Sequence, residues 1–182
     1  MKIKICGLNP IKDVQICINH KVNYLGFVFY QKSPRNVNLP DIKVLSKYDK
    51  KDSAFVAVTV NPSDQFIKEN LLGNFEYIQL HGAETKKRTN EIKNMGFKVI
   101  KTVKVKEEKD IEKHKKFIDS NIILFDTPGM EKSLEFPKKL ISKIPKGEKY
   151  ALAGSISEKN VENLNKLGVN FFDLSSSLES QL

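Results

Sequence analysis

Short runs of β-branched and aromatic residues recur along the chain, most of them about 20 to 30 residues apart, and a Lys- and Glu-rich amphipathic stretch follows each run. The runs are typical of strands, whereas the stretches between them have the spacing of surface helices. The pattern therefore predicts strands that alternate with helices. The eight predicted strands cover residues 2–6, 24–29, 54–60, 77–80, 98–103, 121–125, 150–153 and 169–174.

Capping residues indicate where several helices begin and end. Asn9-Pro10 and Asn61-Pro62 each place a capping side chain before a proline, which is favoured at the first helical position. Ser157 is expected to cap a helix that runs to residue 166. Gly96 and Gly168 come just before predicted strands, so we expect them to end the preceding helices.

The predicted strands have the composition of a parallel sheet. Residues 122–125 are continuously apolar, as expected for a strand that is covered on both faces. Such a repeat either closes into a barrel or opens into a doubly wound sheet. Eight similar units, with no Gly-x-Gly-x-x-Gly sequence after the first strand, favour the α/β class and a (β/α)8 TIM barrel.

The chain ends about eight residues after the last predicted strand, which leaves no room for an eighth helix. We therefore expect residues 1–182 to form a single barrel domain whose C-terminal helix is absent from this chain. A length of 182 residues also favours one domain over two. Two alternatives stay open: the barrel is truncated, or another chain covers the seam between the eighth and first strands.

The composition is that of an ordinary globular chain, with 40% hydrophobic and 29% charged residues. No apolar run approaches the roughly 20 residues of a membrane span, and the N-terminus lacks the features of a signal peptide. We therefore expect a cytoplasmic protein that does not cross a membrane. Cys6 and Cys17 do not make a disulfide framework, and no Cys or His pair has zinc-site spacing, so reduced thiols and no metal are expected.

A net charge of +9 is compatible with a nucleic-acid partner, because clustered basic residues displace counterions from phosphates. The lysines are instead scattered over the predicted helices, and aromatic side chains are not interleaved with them. We therefore expect no nucleic acid, and interpret the charge as a solvated surface that also attracts an anionic substrate. Cys17 is expected in the core, whereas His20 and His114 are expected to be solvated.

Barrels of this kind place their active sites at the C-terminal ends of the strands and on the loops that follow. In this chain those positions carry a thiol, a carboxyl group, an imidazole and a guanidinium group. They are Cys6 and Gly7 after strand 1, Ser33 to Arg35 after strand 2, His81 and Gly82 after strand 4, Asp126 after strand 6, Gly154 and Ser155 after strand 7, and Ser175 to Ser177 after strand 8.

A series of short motifs runs along essentially the whole chain. They are Lys4-Ile5-Cys6-Gly7-Leu8, Gly26-Phe27-Val28-Phe29 with Ser33-Pro34-Arg35, Gln79-Leu80-His81-Gly82-Ala83-Glu84, Leu124-Phe125-Asp126, Leu152-Ala153-Gly154 with Asn160-Val161, and Asp173-Leu174-Ser175-Ser176 with Leu178-Glu179. Each motif is common by itself. As an ordered set, they resemble the successive motifs of phosphoribosylanthranilate isomerases.

The resemblance implies a cofactor-free Amadori rearrangement of tryptophan biosynthesis, which converts N-(5-phosphoribosyl)anthranilate to 1-(2-carboxyphenylamino)-1-deoxyribulose 5-phosphate. It implies that Asp126 is the acid that protonates the ring oxygen and that Cys6 is the base that removes the C2 proton. Burial would help the carboxyl group keep its proton, and nearby positive charge would help the thiol lose its own. Without the resemblance, Cys6 would be interpreted as core packing, and Asp126 equally well as the start of a turn or as a catalytic group.

The resemblance also implies which residues hold the phosphorylated substrate. Arg35 suits the anthranilate carboxylate, because a guanidinium group offers paired donors in one plane. His81 is expected to line the site and help orient the substrate. The phosphate is expected where the loops after strands 7 and 8 present backbone N–H groups beside small residues, namely Gly154, Ser155, Ser175 and Ser176.

The chain departs from the family pattern on the phosphate side. Ser155 and Ser177 stand where most members have glycine, and serine does not freely adopt positive φ, so weaker phosphate binding is expected. In the loop after Asp126, residues 129–136 keep one glycine and the phenylalanine, so a different closure over the substrate is expected.

Three other functions stay open. One is a barrel that acts on a related sugar phosphate, against which the pair Cys6 and Asp126 argues. Another is a catalytically impaired or truncated barrel that retains only anion or sugar-phosphate binding, which the lost glycines and the missing helix favour. The last is a nucleic-acid binder, whose affinity would fall steeply with salt. The sequence also leaves open whether the protein is a monomer or a homodimer.

Overall fold

The computed structural model describes residues 1–128 and 136–178, which form a closed barrel of eight parallel strands. Each strand is bonded to its neighbours in sequence, and β8 is bonded to β1. The strands are Lys2–Cys6 (β1), Tyr24–Phe29 (β2), Ala54–Thr59 (β3), Tyr77–Leu80 (β4), Lys98–Lys104 (β5), Ile122–Asp126 (β6), Tyr150–Leu152 (β7) and Phe171–Leu174 (β8). The predicted α/β class and TIM barrel are confirmed.

Helices connect the strands on the outside of the barrel. They are Val14–Asn19 (α1), Ile42–Leu45 (α2), Asp64–Phe66 (α3), Lys86–Asn94 (α4), Glu108–Ile111 (α5), Lys138–Ile141 (α6) and Glu158–Lys166 (α7). Three-residue-per-turn segments at Leu39–Asp41 and Glu112–Phe117 adjoin α2 and α5, and a wider turn at Ile67–Leu71 continues α3. After β8, the part of the chain that the structure describes contains a short turn, Ser176–Leu178. None of the described helices is long and apolar enough to cross a membrane.

Three predicted helix boundaries are confirmed. Ser157 caps α7, and its backbone N–H donates to Asn160 Oδ1 at 2.9 Å. Gly96 and Gly168 lie just beyond α4 and α7 with φ of 107° and 87°. Glycine adopts these angles without the steric cost that a Cβ would add, so both helices can turn directly into the next strand.

The two predicted Asn-Pro caps are wrong. Ser63 caps α3 by accepting from the backbone N–H of Phe66 at 3.1 Å. Asn61 has a φ of 46°, and its Oδ1 accepts from the backbone N–H of Ala83 at 3.0 Å. Asn9 bonds two amides of the turn before α1 but is not the N-cap of that helix. In both places the asparagine side chain accepts hydrogen bonds from backbone amides of a loop, because it is short enough to reach them as easily as the amides of a helix terminus.

Apolar side chains fill both the layer between strands and helices and the inside of the barrel. Tyr24 stacks on Phe171 in the barrel interior, with ring centroids 5.0 Å apart. Cys17 lies in the outer layer with 6% of its surface exposed, as predicted. The interior layer consists of Val56, Val58, Ile100, Ile122, Leu124, Ala151, Ala153 and Phe171. The barrel is therefore a packed core, and its mouth is where a ligand can enter.

The prediction that His114 is solvated is wrong, whereas His20 is exposed as predicted. His114 is only 7% exposed, and its Nδ1 lies 2.7 Å from the carbonyl oxygen of Ile111. Its ring packs edge-on against Phe125 and Tyr150. Residues 112–117 turn every three residues, which rotates His114 toward the sheet from the face that an α-helical period would give it.

A buried ion pair fixes the loop after β4. Lys101 Nζ lies 2.6 Å from Glu84 Oε2, and the two side chains are 3% and 1% exposed. The same ammonium donates to the carbonyl oxygens of Leu80 and Gly82, at 3.2 and 3.0 Å. Glu84 Oε1 accepts from the backbone N–H of Asn61 at 2.7 Å, which ties in the loop after β3. These contacts hold the segment that carries the next residue after β4, His81.

We predict that Lys101→Met lowers the free energy of unfolding by about 3 to 5 kcal/mol, because the Glu84 carboxylate would stay buried without its cation. Urea denaturation measures this. Lys87→Met is the matched control: it removes an ion pair to Glu91 whose side chains are 89% and 45% exposed. That control should change stability by less than about 0.5 kcal/mol. Equal losses in the two variants would contradict the assignment of the buried pair as a structural clamp.

Candidate active site

A cavity opens at the C-terminal ends of the strands. It brings together all eight residues that the sequence predicts for the site: Cys6, Arg35, His81, Asp126, Gly154, Ser155, Ser175 and Ser176. Val28, Val58 and Ala153 form part of its apolar wall. Among residues 1–128 and 136–178, no group of three or more His, Cys, Asp or Glu side chains is arranged to hold a metal ion.

Cys6 ends β1, and the chain turns away immediately after it. Gly7 has a φ of 90°, and a Cβ at this position would lie 2.2 Å from Arg35 Cδ. Glycine is therefore needed both for the turn and for the passage of the Arg35 side chain over the end of β1. Both Cys6 and Arg35 line the cavity.

A second buried ion pair lies below the thiol. Lys4 Nζ lies 2.8 Å from Asp173 Oδ1 and 3.0 Å from Oδ2, and the two side chains are 2% and 7% exposed. Burial acts to lower the pKa of Lys4, but the charge of Asp173 raises it overall, so Lys4 stays an ammonium. Burial raises the pKa of the Cys6 thiol, Lys4 opposes that rise, and Asp173 and Asp126 add to it.

Asp126 ends β6 and faces the cavity with a carboxyl group that holds its proton. Burial, together with the negative charge of Asp173, raises the pKa of Asp126 to about 7. The backbone N–H of Thr127 donates to Asp126 Oδ1 at 2.7 Å and opposes the rise, as do Lys4 and Lys104. Near neutral pH, a large fraction of Asp126 is therefore a proton donor.

His81 contacts the acid from the neighbouring side of the mouth. Its Nε2 lies 3.6 Å from Asp126 Oδ2, and its Nδ1 lies 3.3 Å from both Gln79 Nε2 and Thr102 Oγ1. Burial and three nearby lysines lower the pKa of His81 to about 4, so the imidazole is neutral at pH 7. A donor at Nδ1, such as the Gln79 amide, leaves the proton of the ring on Nε2, where it faces Asp126.

The loops after β7 and β8 form the opposite wall of the cavity. Gly154 and Ser155 both have positive φ, 102° and 50°. Asn160 of α7 holds this turn, since its Nδ2 donates to the carbonyl oxygen of Ser155 at 2.8 Å. Ser155 thus adopts a positive φ that glycine would adopt freely, and the weaker phosphate binding expected from this serine stays a prediction.

Two serines of the last loop donate hydrogen bonds from their hydroxyl groups to backbone carbonyl oxygens. Ser175 Oγ donates to the carbonyl oxygen of Cys6 at 3.0 Å, and Ser177 Oγ donates to that of Ile156 at 2.6 Å. These bonds tie the end of β8 to the ends of β1 and β7. Residues 129–135 of the loop after Asp126, and Glu179, lie outside the described residues, and so does the predicted difference in loop closure.

Sequence reasoning assigned no role to three buried polar residues that support the site, namely Lys4, Gln79 and Asp173. Each lies two residues before a predicted site residue that ends the same strand or directly follows it: Cys6, His81 and Ser175 respectively. Side chains two apart on a strand point to the same face. This two-residue repeat was the available signal, because a polar residue two positions before a residue at the mouth of the barrel lies directly beneath it.

Comparisons with known proteins agree on one family. The sequence signature described as N-(5'phosphoribosyl)anthranilate (PRA) isomerase matches residues 3–181. A curated N-(5'-phosphoribosyl)anthranilate isomerase of Staphylococcus aureus (strain MRSA252) is 34% identical over 193 residues, which cover 98% of this chain and 89% of the relative.

Solved structures give the same answer for the fold. Monomers generated from the dimeric phosphoribosylanthranilate isomerase of Thermotoga maritima are 25% identical, with a TM-score of 0.81 over 100% of this chain and 90% of theirs. A phosphoribosyl anthranilate isomerase in complex with reduced 1-(o-carboxyphenylamino)-1-deoxyribulose 5-phosphate is 24% identical, with a TM-score of 0.82 and the same coverage.

We predict that Ser155→Gly is more stable than Ser155→Ala by about 1 kcal/mol. Both changes remove the hydroxyl group, but only alanine keeps a Cβ at a φ of 50°, where it is strained. At an ordinary position glycine is the less stable of the two by roughly 0.5 to 1 kcal/mol. Urea denaturation of the two variants therefore tests the turn by the sign of the difference, and alanine being the more stable would contradict it.

We predict that the carboxyl group of Asp126 titrates near pH 7, measured by carbon-13 NMR with Asp126→Asn as the reference. An unfolded Asp titrates near pH 4, so the folded state binds this proton more tightly. The stability that this proton contributes is complete below about pH 4 and is lost as pH rises through about 7. The free energy of unfolding of wild type minus that of Asp126→Asn should therefore fall between about pH 4 and pH 7. A rise of this difference over the same range would count against the assignment.

Proposed function

The chain belongs to the N-(5'-phosphoribosyl)anthranilate isomerase family, and we propose that Asp126 and Cys6 are the acid and the base of its isomerisation. The reaction moves a proton from C2 of the sugar while the furanose ring opens, so it needs a group that donates a proton and another that accepts one. The observation that carries the assignment is that these two groups end β1 and β6 and line one cavity, where burial raises the pKa of the carboxyl group to about 7.

The acid step falls to Asp126. Its proton passes to the furanose ring oxygen, the bond from C1 to that oxygen breaks, and the nitrogen lone pair forms the iminium ion. An ordinary surface Asp would be ionised at neutral pH and could not donate. The buried position at the end of β6 keeps the proton available, as in other enzymes that raise the pKa of a catalytic carboxyl group.

The base step falls to Cys6 as a thiolate. It removes the C2 proton of the iminium intermediate, and the resulting enolamine tautomerises to the ketone. Neutral His81 lies with its Nε2 3.6 Å from Asp126 Oδ2, and this contact helps keep the carboxyl group oriented toward the substrate. We assign Arg35 to the anthranilate carboxylate, because its side chain crosses Gly7 beside the thiol.

The phosphate is assigned to the wall formed by Gly154, Ser155, Ser175 and Ser176. Positive φ at the first two residues gives a tight turn in the wall of the cavity, and backbone N–H groups in such turns can bind an anion. The hydroxyl group of Ser175 already donates to Cys6, so its contribution to phosphate binding would come from the backbone N–H.

The proposed partner is therefore a phosphorylated small molecule, and no nucleic acid is required for this chemistry. The Thermotoga relative is described as dimeric. For this chain both a monomer and a homodimer are compatible with the site, since every assigned residue comes from one chain. We assign the protein to the cytoplasm as a biosynthetic enzyme.

We predict that Cys6→Ser and Asp126→Asn each lower kcat by a factor of about 10² to 10⁴, the range that one acid or base contributes. Loss of phosphoribosylanthranilate fluorescence measures the rate. Wild-type kcat should also fall as pH rises above about 7, because Asp126 then loses its proton. Cys17→Ser, a change in the outer core, is the control and should keep the wild-type pH profile.

The assignment fails if both site variants retain the wild-type rate. If Cys6→Ser loses activity but Asp126→Asn retains the wild-type rate, the acid is a residue other than Asp126. If wild type binds a product analogue but turns nothing over at any pH, the chain is an impaired barrel that retains only sugar-phosphate binding.

A further inference from the structure

We propose that Lys4, held in place by Asp173, is the positioning residue that allows Cys6 to act as a thiolate. This inference rests on the proposed role of Cys6 as the base. It adds a group that stabilises the negative charge on sulfur, which burial in the barrel interior would otherwise disfavour. Lys4 does not contact the substrate in this scheme, because it lies one layer deeper in the barrel than the thiol.

The geometry of β1 brings the ammonium group beneath the thiol. Lys4 and Cys6 are two residues apart on one strand, so their side chains project to the same face. Lys4 is 1% exposed, and its ammonium is fixed from the neighbouring strand by two contacts to Asp173, at 2.8 and 3.0 Å. A long and flexible side chain is thereby held in one position.

Gly26 provides the space for this ammonium group. It pairs with Cys6 across β1 and β2. A Cβ at position 26 would lie 3.1 Å from Lys4 Nζ and 3.2 Å from Lys4 Cε, and 3.2 Å from the Cα of Cys6. Any larger residue would therefore push against both the lysine and the cysteine, so the location of the positive charge depends on this glycine.

Among the buried charges that act on Cys6, Lys4 is the one that favours the thiolate; Arg35 lies at the mouth, over Gly7. Lys4 approaches from the same strand, Asp173 from β8, and Asp126 from β6. Both carboxyl groups disfavour a negative sulfur when they are ionised, and burial disfavours it as well. Lys4 alone among these groups lowers the pKa of the thiol.

The proton balance of the base step is compatible with this role. The thiolate gains the C2 proton and becomes a thiol, the C–H electron pair moves into the enolamine, and Lys4 and Asp173 keep their charges throughout. Asp173 therefore serves to keep Lys4 charged, because a buried ammonium without a counter-ion would lose its proton.

The test measures the ionisation of Cys6 without turnover. In a Cys17→Ser background, the rate of alkylation by iodoacetamide as a function of pH reports the thiolate fraction of Cys6. Lys4→Met should raise the pH midpoint of alkylation by at least about one unit, which lowers the rate at pH 7.5 by about tenfold. Gly26→Ala keeps both charges but displaces the ammonium group, so it should raise the midpoint by a smaller amount.

Lys101→Met is the matched control, since it also breaks a buried lysine–carboxylate pair in this barrel, but one that faces the loop after β4. It should lower stability and leave the alkylation midpoint of Cys6 unchanged. An equal shift in Lys101→Met would show a general effect of destabilisation and would overturn the proposal.

The proposal is also overturned if neither Lys4→Met nor Gly26→Ala moves the midpoint. Gly26→Ala keeps the test decisive if Lys4→Met does not fold. The assignment of Cys6 as the base is tested separately, because it fails if Cys6→Ser turns over substrate at the wild-type rate. That outcome would not change the alkylation result.

Discussion

A buried ion pair between the first and last strands is the contact on which both the fold and the site depend. Lys4 and Asp173 are paired residues in the register of β1 and β8, so their contact lies across the seam where the barrel closes. Each charge is buried, and each would be costly without the other. The pair also lies directly below Cys6, so the closure of the barrel and the electrostatics of the thiol depend on the same two side chains.

Burial raises the pKa of both groups of the proposed chemistry, which favours the role of one and opposes the role of the other. It raises the pKa of Asp126 to about 7, which suits an acid, and it raises the pKa of Cys6, which does not suit a base. The two groups share one cavity, so desolvation alone cannot distinguish them. Asp173 and Lys4 act on both groups, and the distinction comes from which of them acts more strongly. After burial, Asp173 has the larger effect at Asp126 and adds to the rise in pKa, whereas Lys4 has the larger effect at Cys6 and opposes it.

The sequence was sufficient to predict the strands and the residues at the mouth of the barrel. Buried parallel strands read as apolar runs, and three of the eight predicted strands match the structure at both ends. The site residues could be identified because they follow those runs directly. The partners beneath them could not, since pairing Lys4 with Asp173 requires the strand register. His114 and Asn61 were misjudged because a three-residue turn and a loop bond replaced the α-helical geometry that the local pattern suggested.

Ser155, in the loop proposed to bind phosphate, affects the protein through folding more than through the shape of the site. Ser155 keeps a φ of 50°, and Asn160 holds its carbonyl group while also pairing with the cap residue of α7. The helix therefore imposes the turn on the serine. A Cβ in this conformation costs roughly 1 to 2 kcal/mol, which the folded state carries whether or not phosphate is bound. Because that cost is common to the free and bound states, it lowers stability and leaves the backbone of the proposed phosphate site in place.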